Sequence, residues 1–140
     1  MIPHELKLKI ERQPGQIHRS NPQPVSQALD ELGVSLESEF GAFFRKYVIT
    51  CFNSAVSDEE LVDLLDPGKP ILVGTRFIQQ TWKMPERYIS ITSCQGEGAY
   101  LYDIKSGEVQ DFDLAQRADF LKGIVPNSWP SFFAFLDWYL

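Results

Sequence analysis

The hydrophobic repeat of the chain changes from about 3.6 residues to two residues near position 87, and this change limits the folds available to it. Before that point, apolar residues recur at helical spacing, most clearly at Leu36, Phe40, Phe43, Phe44 and Tyr47. After it, "RYISITS", "AYLYDI" and "EVQDFD" alternate apolar and polar residues at hairpin distance. The final segment, "SWPSFFAFLDWYL", returns to a helical pattern, with Pro130 in the predicted first turn. We therefore predict an α+β fold with N-terminal helices, a central antiparallel β-meander and a closing C-terminal helix.

Four segments before the change carry helix signals: "VSQALDELG", "SLESEFGAFFRKY", "SDEELVDLLDPG" and "TRFIQQTW". Gly33 has the C-cap position of the first, and Ser35 is the predicted cap of the second. In the third, Ser57 and Glu60 have capping-box spacing, and a Pro-Gly pair is the stop signal. The fourth is expected to form one or two turns that end before Pro85.

The first 24 residues differ from the rest in their hydrophobic pattern and their proline content. In "LKLKI", apolar and charged residues alternate, which predicts a strand. Four prolines interrupt this region, so residues 11–24 are predicted to be a mobile arm or an extended crossing. With 140 residues and 44% apolar side chains, residues 1–140 are expected to form a single domain, with 1–24 as a proline-broken arm.

The charge of the chain is unevenly distributed. The net charge is -6, but residues 1–25 carry four basic groups against two acids, and the other 115 residues carry nine against seventeen. An acidic body disfavours nucleic acid and favours a basic partner, although it can also serve solubility alone. No stretch has the length or composition of a leader or a membrane span, and Cys51 and Cys94 are predicted to be free thiols. These features predict a cytoplasmic location.

Residues for catalysis or metal binding are scarce. The two histidines, His4 and His18, both lie in the proline-broken segment, which disfavours a histidine-based catalytic device or a zinc site. Five carboxylates crowd one hairpin region: Glu97, Asp103, Glu108, Asp111 and Asp113. They are interpreted as a solvated face, as a partner-binding patch or, with the lowest weight, as a catalytic pair. We expect no enzymatic activity, no metal and no cofactor.

The segment "GEGAYLYDIKSGEV", residues 96–109, could be taken for a phosphate-binding loop. It leads into a strand rather than a helix, lacks the lysine of such loops, and contains Glu97, which would repel a phosphate. We interpret its glycines as turn residues, with Gly107 in a left-handed conformation, and Asp103 as an acceptor for the amides of the turn. The closing aromatic segment is interpreted mainly as core, with an oligomer interface or a membrane-surface helix as alternatives.

The order and spacing of these motifs resemble the SUKH superfamily of Smi/Knr-type domains. The resemblance rests on "WKMPERYISIT", "GEGAYLYDIKSGEVQDFD" and "SFFAFLDWYL", which cover most of residues 82–140, and more loosely on "LGVSLESEFGAFFRKY". The Leu-Pro and Asn-Gly-Gly that family members usually show around that helix are missing. The resemblance implies an α+β domain without an active site, which in bacteria acts as an immunity protein that neutralises a toxin and in eukaryotes as a regulatory scaffold.

Together, these observations predict a non-enzymatic protein-binding domain, with toxin immunity as the first hypothesis and a regulatory module without a toxin partner as the alternative. The partner is expected to be a protein, and a basic one, because an acidic surface would steer its association. The predicted contact residues are the acidic Glu97, Glu108, Asp111 and Asp113, with Trp82 or Tyr100 as aromatic anchors.

Overall fold

The computed structural model describes residues 1–94 and 96–140 and shows a mixed α+β fold. Four helices come first: α1 (His4–Glu11), α2 (Gln23–Leu32), α3 (Glu39–Lys46) and α4 (Pro70–Gln80). Three strands follow, β1 (Tyr88–Ser90), β2 (Gly98–Asp103) and β3 (Val109–Asp113). A 3-10 turn (Leu114–Gln116), α5 (Arg117–Leu121), the short β4 (Ser128–Trp129) and α6 (Phe132–Tyr139) complete the chain. The predicted order of helices, meander and closing helix is confirmed.

The four strands form one antiparallel sheet in the order β1-β2-β3-β4. The β2–β3 hairpin turns through five residues, and Gly107 has the predicted left-handed conformation with a φ of 79°. Asp103 accepts hydrogen bonds from the amides of Lys105 (2.9 Å) and Ser106 (3.3 Å), as predicted. Gly96 also has a positive φ, 88°, while Gln95 in the same turn lies outside the described residues. The glycines therefore shape the sheet.

Helices cover both faces of the sheet because its strands alternate apolar side chains to either side. Tyr100, Tyr102 and Val109 pack with α1, α2, α3 and α6 in the larger hydrophobic cluster, which includes residues from Leu6 to Tyr139. Leu101 and its neighbours on the other face pack with α4, α5 and the segment after α4, in a smaller cluster formed by Ile78, Trp82, Met84, Ala99, Leu101, Phe112 and Phe120. The aromatic α6 belongs to the larger cluster, with Phe135 and Leu136 fully buried.

The first segment is a helix, and the predicted strand is wrong. Leu6, Leu8 and Ile10 fit a period of two, but Leu6 and Ile10 also fit the i, i+4 spacing of a helix face. These two side chains are buried, whereas Leu8 is 43% exposed. Residues 17–19 then cross the molecule in extended form. They pair with the end of α3 and the residues after it through bonds of 2.7 Å (Val48 N–H to Ile17 O) and 2.9 Å (Arg19 N–H to Lys46 O). The extended crossing predicted for residues 11–24 is thus seen only at residues 17–19, because Glu11 ends α1 and residues 23 and 24 begin α2.

The predicted helix in "SDEELVDLLDPG" is also wrong, because long-range contacts override its capping signal. The hydroxyl of Ser57 lies 2.7 Å from the hydroxyl of Tyr100, and Leu61 forms a bridge with Thr92 beside β1. Asp63 turns inward to pair with Arg19. The segment contains no helix between α3 and α4 in the part of the chain that the structure describes, and local propensity yields to such tertiary contacts.

Three helix boundaries differ from the prediction. A separate turn at 35–38 delays α3, so Ser38 rather than Ser35 is its N-cap, with its hydroxyl accepting from Gly41 N at 3.0 Å. Pro70 occupies the first position of α4, which is longer than the one or two turns predicted. Pro130 lies just before the cap of α6, which is Ser131. Among the described residues, no helix has both the length and the apolarity required to cross a membrane.

Candidate functional site

A loop and a strand edge bring four carboxylates together at one end of the sheet. Asp58 and Glu59 come from the extended loop after α3, and Asp111 and Asp113 come from β3. We call these four residues, together with Trp129 and Trp138, the acidic-aromatic face. Two of its members, Asp111 and Asp113, were predicted from the sequence.

The loop is held in place by α6 and β2. The Tyr139 hydroxyl donates to Glu59 O at 2.6 Å, and the Ser54 hydroxyl donates to Tyr139 O at 2.6 Å. The Ser57 hydroxyl meets that of Tyr100, which stands directly opposite Asp111 in the β2–β3 ladder. Directly opposed residues of an antiparallel pair share one face. The loop carboxylates and Asp111 therefore lie around the tip of the same tyrosine.

Two of these carboxylates have raised pKa values, with burial as the main cause and neighbouring carboxylates as a further one. Burial raises the pKa of Glu59, and the charges of Asp111 and Asp58 raise it further. Burial also raises the pKa of Asp111; Asp113 adds to that effect, while a hydrogen bond from Asn127 opposes it. None of the four carboxylates forms a salt bridge with another described residue. Negative charge is therefore concentrated here without an internal counter-ion.

Two tryptophans flank the carboxylates. The ring centroids of Trp129 (β4) and Trp138 (α6) are 4.6 Å apart and lie 5.7 Å and 6.1 Å, respectively, from that of Tyr100. Trp138 is 38% exposed and Trp129 is half-buried. Tryptophans are enriched in protein-binding hot spots, and the rim around such hot spots is polar.

The two predicted aromatic anchors are largely buried. Trp82 and Tyr100 are only 5% and 6% exposed, because Trp82 packs against Phe112 in the smaller cluster and Tyr100 faces α6 in the larger one. A partner could reach little of either ring. Trp138 and Trp129 have the exposure that an anchor needs, and the signal for them was present in "SWPSFFAFLDWYL", whose rings were interpreted mainly as core.

The remaining predicted acids, Glu97 and Glu108, are not among the charges that shift the pKa values of Glu59 and Asp111. Glu108 lies at the other end of the β2–β3 hairpin, and its carboxylate accepts a hydrogen bond of 3.4 Å from the side-chain Nε2 of Gln110. Glu97 is exposed at the start of β2, where its carbonyl accepts from Leu114 N. Asp58 and Glu59 were missed because their segment was predicted to be helical.

Asp103 has a structural role. Its carboxylate is 2% exposed and pairs with Arg87, with oxygens 2.5 Å from Nη2 and 3.0 Å from Nε. Burial alone would raise the pKa of Asp103, but the hydrogen bonds from Arg87 and the turn amides outweigh burial and hold it below its ordinary value. This carboxylate is therefore ionised at neutral pH and has no proton to donate there.

The two cysteines are free thiols; Cys51 is exposed and Cys94 is half-buried. Among residues 1–94 and 96–140, no group of three or more His, Cys, Asp and Glu side chains is arranged to hold a metal ion. Comparisons with protein-family models, curated proteins and solved structures give no match for this chain. The acidic-aromatic face must therefore be judged on its own chemistry.

Proposed function

We propose that the chain is a non-enzymatic protein-binding domain that engages a basic partner through the acidic-aromatic face. The observation that carries this proposal is the group of four carboxylates without internal counter-ions beside two accessible tryptophans. Burying these carboxylates and placing like charges beside them costs folding stability, as the raised pKa values of Glu59 and Asp111 indicate. A basic partner would relieve the repulsion among these carboxylates, and this relief would contribute to the free energy of binding.

The role we propose for such binding is toxin immunity, in which the domain covers the basic cleft of a toxin. The resemblance of residues 82–140 to the SUKH superfamily suggests this role, and the acidic-aromatic face supplies chemistry that suits it. Carboxylates would accelerate encounter and set orientation, while Trp138 and Trp129 would supply buried apolar area in the complex. A regulatory module with several weaker partners is the alternative.

The test compares two variants with the same net charge as bait in lysate of the native cell. The first, D58N/E59Q/D111N, neutralises the face. The second, D30N/E86Q/D119N, neutralises three exposed carboxylates located elsewhere. We expect the wild type and the second variant to retain one dominant basic protein and the first to lose it.

Other outcomes have definite meanings. Equal loss with both variants would indicate that only net charge matters and would contradict a defined face. Equal retention by both would place the binding surface elsewhere. Several weak partners shared by all three proteins would favour the regulatory module.

A further inference from the structure

In contrast to the acidic-aromatic face, a basic cavity lies between α1, the extended crossing at residues 17–19 and the last turn of α3. Its lining contains the cationic Lys7, Arg19, Arg45 and Lys46 together with His18, and its volume is about 570 Å³. Ile2 and Ala42 form part of its wall, and no Asp or Glu is among the described residues that line it. In a chain with 19 acidic residues, such a lining requires an explanation.

The crossing segment is what assembles this cavity. Arg19 is fixed by Asp63, whose two carboxylate oxygens lie 2.9 Å and 3.0 Å from its Nη2 atom. The ring of His18 packs on Tyr47, with centroids 5.6 Å apart, and Lys46 Nζ lies 5.7 Å from the centroid of the same ring. These contacts hold His18 beside the end of α3.

Two observations show that the described residues do not neutralise the positive charge of this cavity. First, Arg45 Nε is buried without a hydrogen-bond partner in the described part of the chain, which is costly for a charged donor. Second, none of Lys7, Arg45 and Lys46 forms a salt bridge with another described residue. Burial raises the pKa of Tyr47 to about 12, with a further contribution from its bond to Glu11, so this ring adds no negative charge at neutral pH.

The dipole of α3 does not by itself explain why so many cations line this cavity. Cations in a last helical turn do stabilise the carbonyl end of a helix. Here, however, Arg19 already serves that end: its guanidinium donates to Phe44 O and Tyr47 O, and its backbone amide donates to Lys46 O. Arg45, Lys46 and Lys7 are additional to this arrangement.

We propose that the basic cavity binds the phosphate group of a small phosphorylated molecule. A phosphate offers several charged acceptors, which suits convergent Arg, Lys and His donors from three chain segments. A nucleic acid fits poorly, because four of the 13 Lys and Arg residues line the cavity and only nine remain elsewhere against 19 acids. The surrounding charge repels an extended polyanion but tolerates one compact anion.

The experiment titrates the ¹⁵N-labelled full chain with inorganic phosphate, with sodium chloride of equal ionic strength as the reference. We expect saturable shifts at the amides of His18, Arg19, Arg45 and Lys46. In R45Q/K46Q the dissociation constant should rise at least about tenfold, the equivalent of losing one charge-assisted hydrogen bond. The matched variant K105Q/K122Q removes two cations elsewhere and should bind as the wild type does.

A phosphate titration that matches the chloride reference, or a R45Q/K46Q variant with unchanged affinity, would overturn the proposal. The amide spectrum of the variant reports whether it is folded; if it is not, K7Q on α1 replaces it with the same expectation. A titration with AMP, with adenosine as its reference, distinguishes an organic phosphate from free inorganic phosphate as the ligand. Tighter binding of AMP than of inorganic phosphate indicates an organic ligand, and equal binding indicates free phosphate.

Discussion

Replacement of Arg19 by Met should destabilise the protein far more than the loss of an ordinary surface ion pair. The side chains of Arg19 and Asp63 are 7% and 2% exposed, so the change leaves a carboxylate buried without its counter-ion. It also removes the donors to Phe44 O and Tyr47 O. Breaking one side of a buried pair costs about 3–5 kcal/mol, a large part of the roughly 5–15 kcal/mol that stabilises a domain.

Two further variants calibrate that expectation. K9M breaks the exposed pair between Lys9 and Asp137, whose side chains are 38% and 56% exposed, and should cost less than about 1 kcal/mol. R19K keeps the charge but has no planar fork to reach Asp63 and both carbonyls together, so its stability should fall between those of R19M and the wild type.

The assay is equilibrium unfolding in urea at neutral pH, with the slope of the transition checked for constancy among variants. An R19M protein that loses no more free energy of unfolding than K9M would refute the reasoning. It would show that the crossing segment contributes little to the stability of the fold.

Three further changes should alter stability in different directions. Gly41→Ala should lower the free energy of unfolding by about 1–3 kcal/mol despite the helix preference for Ala, because the added Cβ would lie 2.5 Å from Leu36 O. Gly68→Ala should be neutral in the same urea unfolding, because its Cβ would meet no described atom within 4 Å. Asp111→Asn should raise stability at pH 7, since the raised pKa of Asp111 makes its charged form costly, and the gain should vanish in urea titrations repeated below the ordinary pKa of 3.8. Asp103→Asn should instead lower stability at pH 7 by about 1–2 kcal/mol; because the pKa of Asp103 is held below 3.8, this difference should persist down to that pH and shrink only at lower pH. An Asp111 variant that is less stable at pH 7, or an Asp103 variant that is more stable, would contradict the assigned charge environments.

The sequence predicted the parts of the fold that depend on local chemistry. The alternation in β1, β2 and β3 and the left-handed Gly107 follow from side-chain period and turn geometry, which neighbouring residues determine. The aromatic α6 was predictable for the same reason. Where two periods fitted equally, as for Leu6 and Ile10, only the packing partners decided the outcome.

The acidic-aromatic face was predictable only in part, because long-range contacts build it. Asp111 could be placed on a strand from its neighbours, but Glu59 reaches the same place through the bonds of Ser57 to Tyr100 and of Tyr139 to the loop backbone. These contacts join residues 43 and 80 positions apart. A capping signal around Ser57 carries no information about such contacts, so the segment was predicted to be a helix.

The proposed binding mode is tested most directly by the salt dependence of affinity for the partner retained in the capture experiment. We predict that the dissociation constant of the wild type rises steeply with sodium chloride, and that D58N/E59Q/D111N both weakens binding and flattens this dependence. The control D30N/E86Q/D119N should keep the steep dependence. An affinity that does not change with salt, or a dependence that remains steep in D58N/E59Q/D111N, would contradict binding through the acidic-aromatic face.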